Sequence, residues 1–471
     1  MPKFFLRMFD LNLQLPPALE PGFVPAVLWN RAYQAAVAAD PDARKLALAI
    51  LRNDGVAVRF ETRLLGERHT QAAATLRYVE RLVKFLLWQR GGCRVLVAGA
   101  PEIAAALARI YGPTGERAFD GEFMGERVYG RKFSVEAVGD DALPAETTTG
   151  LKLGRNLEGC RIGFDLGGSD RKVAALIDGQ VVFSEEVAWD PYFQTNPDYH
   201  IEGVHASLQR AAAHLPRVDA IGGSAAGVYV DNEVRVGSLF RGVPPDVFAS
   251  RIRRMFFTLK ERWGGVPFEV ANDGEVTALA GSMALGDNAV LGVSMGTSMA
   301  GGYVRASGEI TPWLNELAFA PVDYQAAAPR DEWSGDIGCG VQYFSQQGVA
   351  RYAQRAGFVF GEDVPLPARL TAVQAALASG DARARSIYET IGVCFGYALG
   401  HYADFYEIRH LLLLGRVTSG EGGDVILDRA NAVLRAEFPV LARQLRLHIP
   451  GEKDKRHGQA IAAASLPALK R

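Results

Sequence analysis

Four glycine-punctuated segments hold side chains that could handle a phosphate. The first is Asp165-Leu166-Gly167-Gly168-Ser169, set between apolar stretches. Gly167 and Gly168 let the backbone bend so that amides and the Ser169 hydroxyl face an anion. A carboxylate such as Asp165 can hold the Mg²⁺ that phosphates carry. A plain Gly-Gly hairpin would look the same. In the second, an apolar run ends in Gly222-Gly223-Ser224-Ala225-Ala226-Gly227, either the wall of a substrate cleft or close packing. In the third, a short strand gives way to an alanine-rich helix with Asn272-Asp273 at its start. An N-cap, worth about 1 kcal/mol, accounts for that pair equally well. The fourth places Gly296-Thr297-Ser298 and Gly301-Gly302 between two apolar strands, repeating the first. Two phosphate-type hairpins around an Asn-Asp pair form a constellation that separate structural readings explain poorly.

These segments need strands to carry them and helices to back them. The chain has 471 residues, long enough for several domains. Glycine supplies 51 of them, about 11% against a usual 7% or so, without a triplet period. The net charge of −2 excludes a chain built on strong positive charge. Cys93, Cys160, Cys339 and Cys394 are widely spaced, which predicts reduced thiols and a cytoplasmic protein. The first ten residues carry charges inside any possible apolar core, so no signal peptide is expected, and no apolar run approaches the roughly 18 residues of a membrane span. No membrane contact is therefore expected.

Residues 1–150 read as an α/β N-terminal domain of unknown role. Runs 46–51 and 56–65 flank Asn53-Asp54-Gly55, a hairpin signal. Residues 71–89 predict an amphipathic helix, with Leu76, Val79, Val83 and Leu86 inward and Arg77, Glu80, Arg81 and Lys84 outward. A strand over 94–98 and a helix over 101–111 follow, and residues 140–150 read as a linker. With 21 basic and 17 acidic residues through position 155 and no helix-turn-helix signature, no nucleic-acid partner is expected.

The order of the four segments resembles the actin-like ATPase superfamily. Within it the similarity is greatest to the ROK group (repressors, open reading frames, kinases). Asp165-Leu166-Gly167-Gly168-Ser169 resembles that family's first phosphate loop, and Asn272-Asp273 its catalytic pair. Gly296 to Gly302 is similar to its second phosphate loop. Leu411-Leu412-Leu413-Leu414-Gly415-Arg416 resembles its adenosine loop, and Gly458-Gln459-Ala460-Ile461-Ala462-Ala463-Ala464 its closing helix. The resemblance spans about residues 160–466. It implies an α/β fold of the actin-like (ribonuclease H-like) kind with duplicated lobes at 158–285 and 286–471, added to the N-terminal α/β domain.

It further implies ATP with Mg²⁺ as cofactors and a small-molecule sugar as substrate. Asp273 would be the general base. Asn272, Glu316, Gly223 and Ser224 would meet the substrate. Gly167, Gly168, Ser169, Gly296 and Thr297 would cradle phosphates. Gly415 would border adenosine, and Asp165 would organise Mg²⁺ directly or through water. Family members often dimerise, so a homodimer is an expectation of the resemblance alone.

The sequence departs from the family at the sugar and zinc motifs. Glu316 remains, but Phe319 stands where the family has a sugar-contacting His. Only Cys339 remains of the zinc cysteines, and Val341 or Gln342 occupies the Glu position. One thiol cannot build a tetrahedral zinc site, so no structural zinc is expected. The lost contacts keep a competing class open, a non-catalytic nucleotide- or sugar-binding sensor. A dinucleotide oxidoreductase is poorly supported, because no G-x-G-x-x-G with a following acid occurs. The aromatic stretch 189–200 could border the cleft or be a packed loop. His200, His401 and His410 form no ligand pattern.

Overall fold

The computed structural model describes residues 9–147, 153–450 and 452–469. Residues 1–8 and the 148–150 end of the expected linker lie outside the described residues.

The N-terminal hairpin forms as the sequence predicts. β1 (Arg44–Leu51) and β2 (Ala57–Leu64) pair antiparallel around a turn in which Asp54 Oδ1 accepts from Val56 N at 3.1 Å. β3 (Arg94–Ala98) joins β1 antiparallel, and β4 (Ser134–Ala137) joins β3 parallel, giving the order β2-β1-β3-β4. Helices Ala26–Ala39, Ala74–Arg90 and Pro101–Ile110 accompany this sheet.

The helix Ala74–Arg90 corrects the amphipathic expectation. Every residue from Tyr78 to Gln89 is buried, Glu80, Arg81 and Lys84 included. Those charges do not face solvent. The helix runs between the N-terminal sheet and the C-terminal part of the chain, and its polar face is satisfied by buried partners, as buried charge must be.

The rest of the chain carries the duplicated pattern. β5 (Cys160–Leu166), β6 (Asp170–Ile177) and β7 (Gln180–Ala188) form an antiparallel meander. β8 (Ala220–Ala225) returns parallel to β5. After a small hairpin of β9 (Val228–Val230) and β10 (Glu233–Val236), β11 (Phe268–Asn272) adds parallel to β8. The order is β11-β8-β5-β6-β7. β12 (Val290–Met295) and β13 (Met299–Val304) then repeat the opening hairpin, with β14 (His410–Leu414) and β15 (Arg446–His448) parallel beside β12. That order, β13-β12-β14-β15, is the first one without its outermost meander strand.

A helix follows the last strand of each sheet: Asp273–Leu285 after β11 and Glu452–Ala464 after β15. Each packs across to the other lobe, the first on β12 and β13, the second on β5, β6 and β8. Glycine permits the close approach: a Cβ on Gly222 would sit 1.7 Å from the Ala463 carbonyl oxygen.

The apolar cores do not respect the sequence segments. Phe23, Val27 and Phe85 belong to the second lobe's core, while Val228, Val230 and Tyr324 belong to the N-terminal core. The four thiols are buried and unpaired. Among the described residues no helix is long and apolar enough to cross a membrane.

Candidate active site

The two hairpin turns lie at matching ends of the two sheets. In the first, Gly167 N donates to Asp170 O at 2.9 Å, closing a two-residue tip at Gly168 and the exposed Ser169. In the second, Gly296 N donates to Ser298 O at 2.8 Å, leaving Thr297 and Ser298 exposed. Gly415 follows β14 beside this second turn. Its φ of 98° and a Cβ position 2.4 Å from the Met295 oxygen together require glycine.

Asp165 is the next-to-last residue of β5, buried ahead of the first turn. Ser224 Oγ donates to its Oδ1 at 2.7 Å. Burial pushes the Asp165 carboxyl up to about 6; the Asp273 charge adds to this, while the Ser224 hydrogen bond and Lys172 oppose it. Lys172 is the cross-strand partner of Asp165 and pairs with Asp170 at 2.9 Å.

Asp273 is the first residue of its helix and Asn272 is the cap, so the capping role expected at either residue falls on Asn272. Asn272 Oδ1 accepts from Gly274 N at 2.7 Å, and its Nδ2 donates to Gly227 O at 2.7 Å. Burial raises the Asp273 carboxyl above its ordinary range, partly offset by the Gly274 amide. Gln459, on the other crossing helix, donates to Ser224 Oγ at 3.2 Å and to Asp273 O at 3.4 Å. Asp165, Ser224, Gln459 and Asp273 are thus one connected set.

Glu316 stands opposite. Burial and the Asp273 charge push its carboxyl up to about 7. Glu275, in the first turn of the helix, is buried and pushed up to about 8, held by the Asn315 side chain and by Tyr303 N at 3.3 Å. A cavity of about 200 Å³ opens beside Asn272, walled by Gly227, Asp231, Glu269, Glu275 and Trp313. Arg52 and Asp54 of the N-terminal hairpin reach its rim.

The structure links Asp165, Asn272, Asp273 and Glu316 through hydrogen bonds and mutual charge, sets Gly167, Gly168 and Ser169 in the turn after Asp165, and packs Gly415 on Met295 at the start of the Gly296–Thr297 turn. Two of the expected substrate residues contact protein groups. Gly223 lies inside β8 with the Phe164 ring against its Cα, and Ser224 is spent on Asp165. The Gly301-Gly302 pair lies within β13 rather than in the turn, where it admits the start of the helix Asp273–Leu285; a Cβ on Gly302 would meet Gly274 O at 2.0 Å.

The aromatic stretch braces the first turn. Trp189 N and Nε1 donate to Ser169 O and Gly167 O at 3.0 and 2.7 Å, and the Tyr192 hydroxyl packs against Gly168. His200 is buried between the Pro191 and Leu239 carbonyls, a structural place. Gln459 and Lys172 are functional candidates that the sequence reading left without a role. Position after Gly458 in the resembled closing helix, and alternation across from Asp165, were the available signals.

An Mg²⁺ arriving on a nucleotide fits this donor set. One buried carboxylate flanked by open turns suits an ion that keeps its phosphate and water ligands. Among the described residues no cluster of three or more His, Cys, Asp or Glu side chains forms a ready metal cage. Cys339 lies buried 3.8 Å from Asp336 Oδ2, within an ion-pair network.

Two lobes of like strand order, each with a glycine turn in its opening hairpin and a helix that packs on the other lobe, make up the actin-like ATPase fold. A hexokinase of the ROK family from Thermus thermophilus has this fold: it aligns with 65% of this chain and 96% of its own at 17% identity and a TM-score of 0.51. A ROK family glucokinase from Streptomyces griseus, in complex with glucose and AMPPNP, covers 65% of this chain and 98% of its own at 19% identity and a TM-score of 0.48. A ROK family transcriptional regulator covers 66% and 79% at 19% identity and a TM-score of 0.49. No protein-family profile and no curated protein matches the chain.

Proposed function

We propose that the chain is a divergent ROK-type kinase that transfers the γ-phosphoryl group of ATP to a hydroxyl of a sugar-like small molecule. The observation that carries this reading is the chain from Asp165 through Ser224 and Gln459 to the Asp273 carbonyl, next to the first glycine turn.

Phosphoryl transfer needs positioning and charge stabilisation more than covalent chemistry. The amides of Gly168, Ser169 and Thr297 bind phosphate oxygens, while those of Gly167 and Gly296 close the two turns. Asp165 would hold Mg²⁺ directly or through water, and the ion would supply neutralisation of the transferring charge. Asp273 accepts the acceptor's hydroxyl proton; burial raises its basicity while the Gly274 amide orients it. Glu316 receives neighbouring hydroxyls. The crossing helices let the lobes close and exclude water.

A second reading, a ligand-binding regulator without turnover, has Phe319 in its favour, because an aromatic ring stands where the resembled kinases use a His. An ATP-consumption screen over a sugar panel with Mg²⁺, run beside Asp273→Ala, separates the two. Turnover in the parent protein that the variant loses supports the kinase. ATP binding with no turnover on any acceptor supports the regulator.

A further inference from the structure

The N-terminal layer meets the cleft at one place. The last turn of the helix Ala74–Arg90 carries carbonyls with no partner inside the helix. Two of them are taken by the second lobe: Asn315 N donates to Gln89 O and Glu316 N to Trp88 O, both at 3.0 Å. The segment that bears the cleft carboxylate is thus the cap of an N-terminal helix. Asn315 has a φ of 49°, unusual for a residue with a side chain, and its amide group is tied to Glu275 and to the Tyr406 hydroxyl. Phe319 stacks on Trp88 with ring centroids 4.3 Å apart.

The helix itself is fixed by charge. Asp336 receives Arg81 at 2.9 Å, Lys84 at 2.9 Å and Arg117 at 2.6 Å, all from the N-terminal layer. Lys84 also pairs with Asp120 at 3.0 Å, and Trp88 Nε1 donates to the same carboxylate at 2.6 Å. The Lys84 and Asp336 side chains are 0% and 1% exposed. Breaking one member of such a cluster strands the others without water, so the helix has one depth and one rotation. Asp336 lies three residues before Cys339, in the stretch that resembles the family's zinc motif.

We infer that the N-terminal layer is the positioning element of the acceptor side: Lys84 and Asp336 lock the helix end, and the helix end holds the Asn315–Glu316 backbone so that Glu316 faces Asp273. Lys84 and Asp336 are positioning residues that act through Glu316. The inference rests on the reading of Glu316 as an acceptor ligand.

The test uses the full chain with Lys84→Met, Lys84→Arg and Glu316→Gln. Hydrogen exchange followed by mass spectrometry reads the peptide covering 313–319 without any substrate. D-glucose, D-mannose and N-acetyl-D-mannosamine are the acceptor probes. Lys84→Met is expected to speed exchange in that peptide at least tenfold. It should also raise KM for any probe that is turned over at least tenfold, leaving KM for ATP within twofold. Lys84→Arg should restore both. In the Glu316→Gln background, Lys84→Met should add nothing to the acceptor KM. Unchanged exchange in Lys84→Met overturns the inference, as do additive effects of the two substitutions. Should Glu316→Gln alone leave the acceptor KM unmoved while Lys84→Met speeds exchange, the ligand reading of Glu316 is what has failed. If Lys84→Met does not fold, Phe319→Ala removes the Trp88 stack from the loop side and carries the same expectations.

Discussion

The Ser224 hydroxyl donates to Asp165 Oδ1 at 2.7 Å across adjacent parallel strands, from cross-strand positions that face each other. This bond holds the buried carboxyl of Asp165 down while burial and Asp273 push it up. A hydrogen bond to a charged group is worth about 1.5–3 kcal/mol. Ser224→Ala should therefore weaken Mg²⁺-dependent turnover on the order of tenfold or more near pH 7. The acid limb of the pH profile should shift upward, because the uncompensated carboxyl holds its proton longer. A kcat/KM profile from pH 5 to 9 checks this, and an unshifted limb counts against Asp165 as the metal-organising group.

Asp273→Ala should lower kcat by about 10²–10⁴-fold, the usual contribution of a positioned base. Nucleotide affinity should hardly move, since the phosphate turns do not depend on that side chain. Calorimetric titration with a non-hydrolysable ATP analogue beside the turnover assay separates the two effects. Full turnover in the variant would remove Asp273 from the mechanism.

Gly168→Ala should cost nucleotide affinity at least tenfold. A Cβ there would lie 2.0 Å from the Tyr192 hydroxyl and 2.6 Å from its ring, so either the turn or the brace must shift. Tyr192→Ala in the same chain removes the obstruction and should return part of the affinity. No rescue would mean that the glycine serves the turn's own conformation, not its packing.

Stability should fall as pH rises from 7 to 8. Glu275, buried and raised to about 8, keeps its proton in the folded state where the unfolded chain has lost it. The folded state then holds more protons, so its stability declines with pH, by about 1 kcal/mol per unit. The buried histidines His200 and His401, both depressed, are largely neutral in folded and unfolded states above pH 7, while Glu316, raised to about 7, adds a smaller slope of the same sign. Glu275→Gln, which keeps an acceptor for Asn315, should flatten the slope. Chemical denaturation of the ligand-free protein at pH 7.0, 7.5 and 8.0 measures it.

The cleft was legible because its chemistry is local in sequence. Asp165 with its glycines, and Asn272-Asp273 at a strand-to-helix change, announce themselves within a few residues, and the hairpins of 160–183 and 290–304 follow from alternation and turn residues. What escaped was everything decided across the fold. Arg81 and Lys84 read as a solvated face because their partners Asp336 and Asp120 lie on other elements. Gly223 and Gly302 look like ligand glycines, yet Phe164 and Gly274 press on them. Gln459 could be assigned only once the helix bearing it was seen to cross the lobes. The N-terminal strands were readable one by one, but not the surface they dock on.

That docking has a thermodynamic corollary. Phe23, Val27 and Phe85 complete the interior of the second lobe, and Val228, Val230 and Tyr324 complete that of the N-terminal sheet. Neither part closes its own interior, so heating should melt both in a single calorimetric transition. A chain shortened to the kinase-like stretch would expose apolar surface rather than behave as a smaller enzyme. The extra 150 or so residues are then no detachable accessory; loss or gain of that layer would have to be matched by resurfacing of the lobe beneath it.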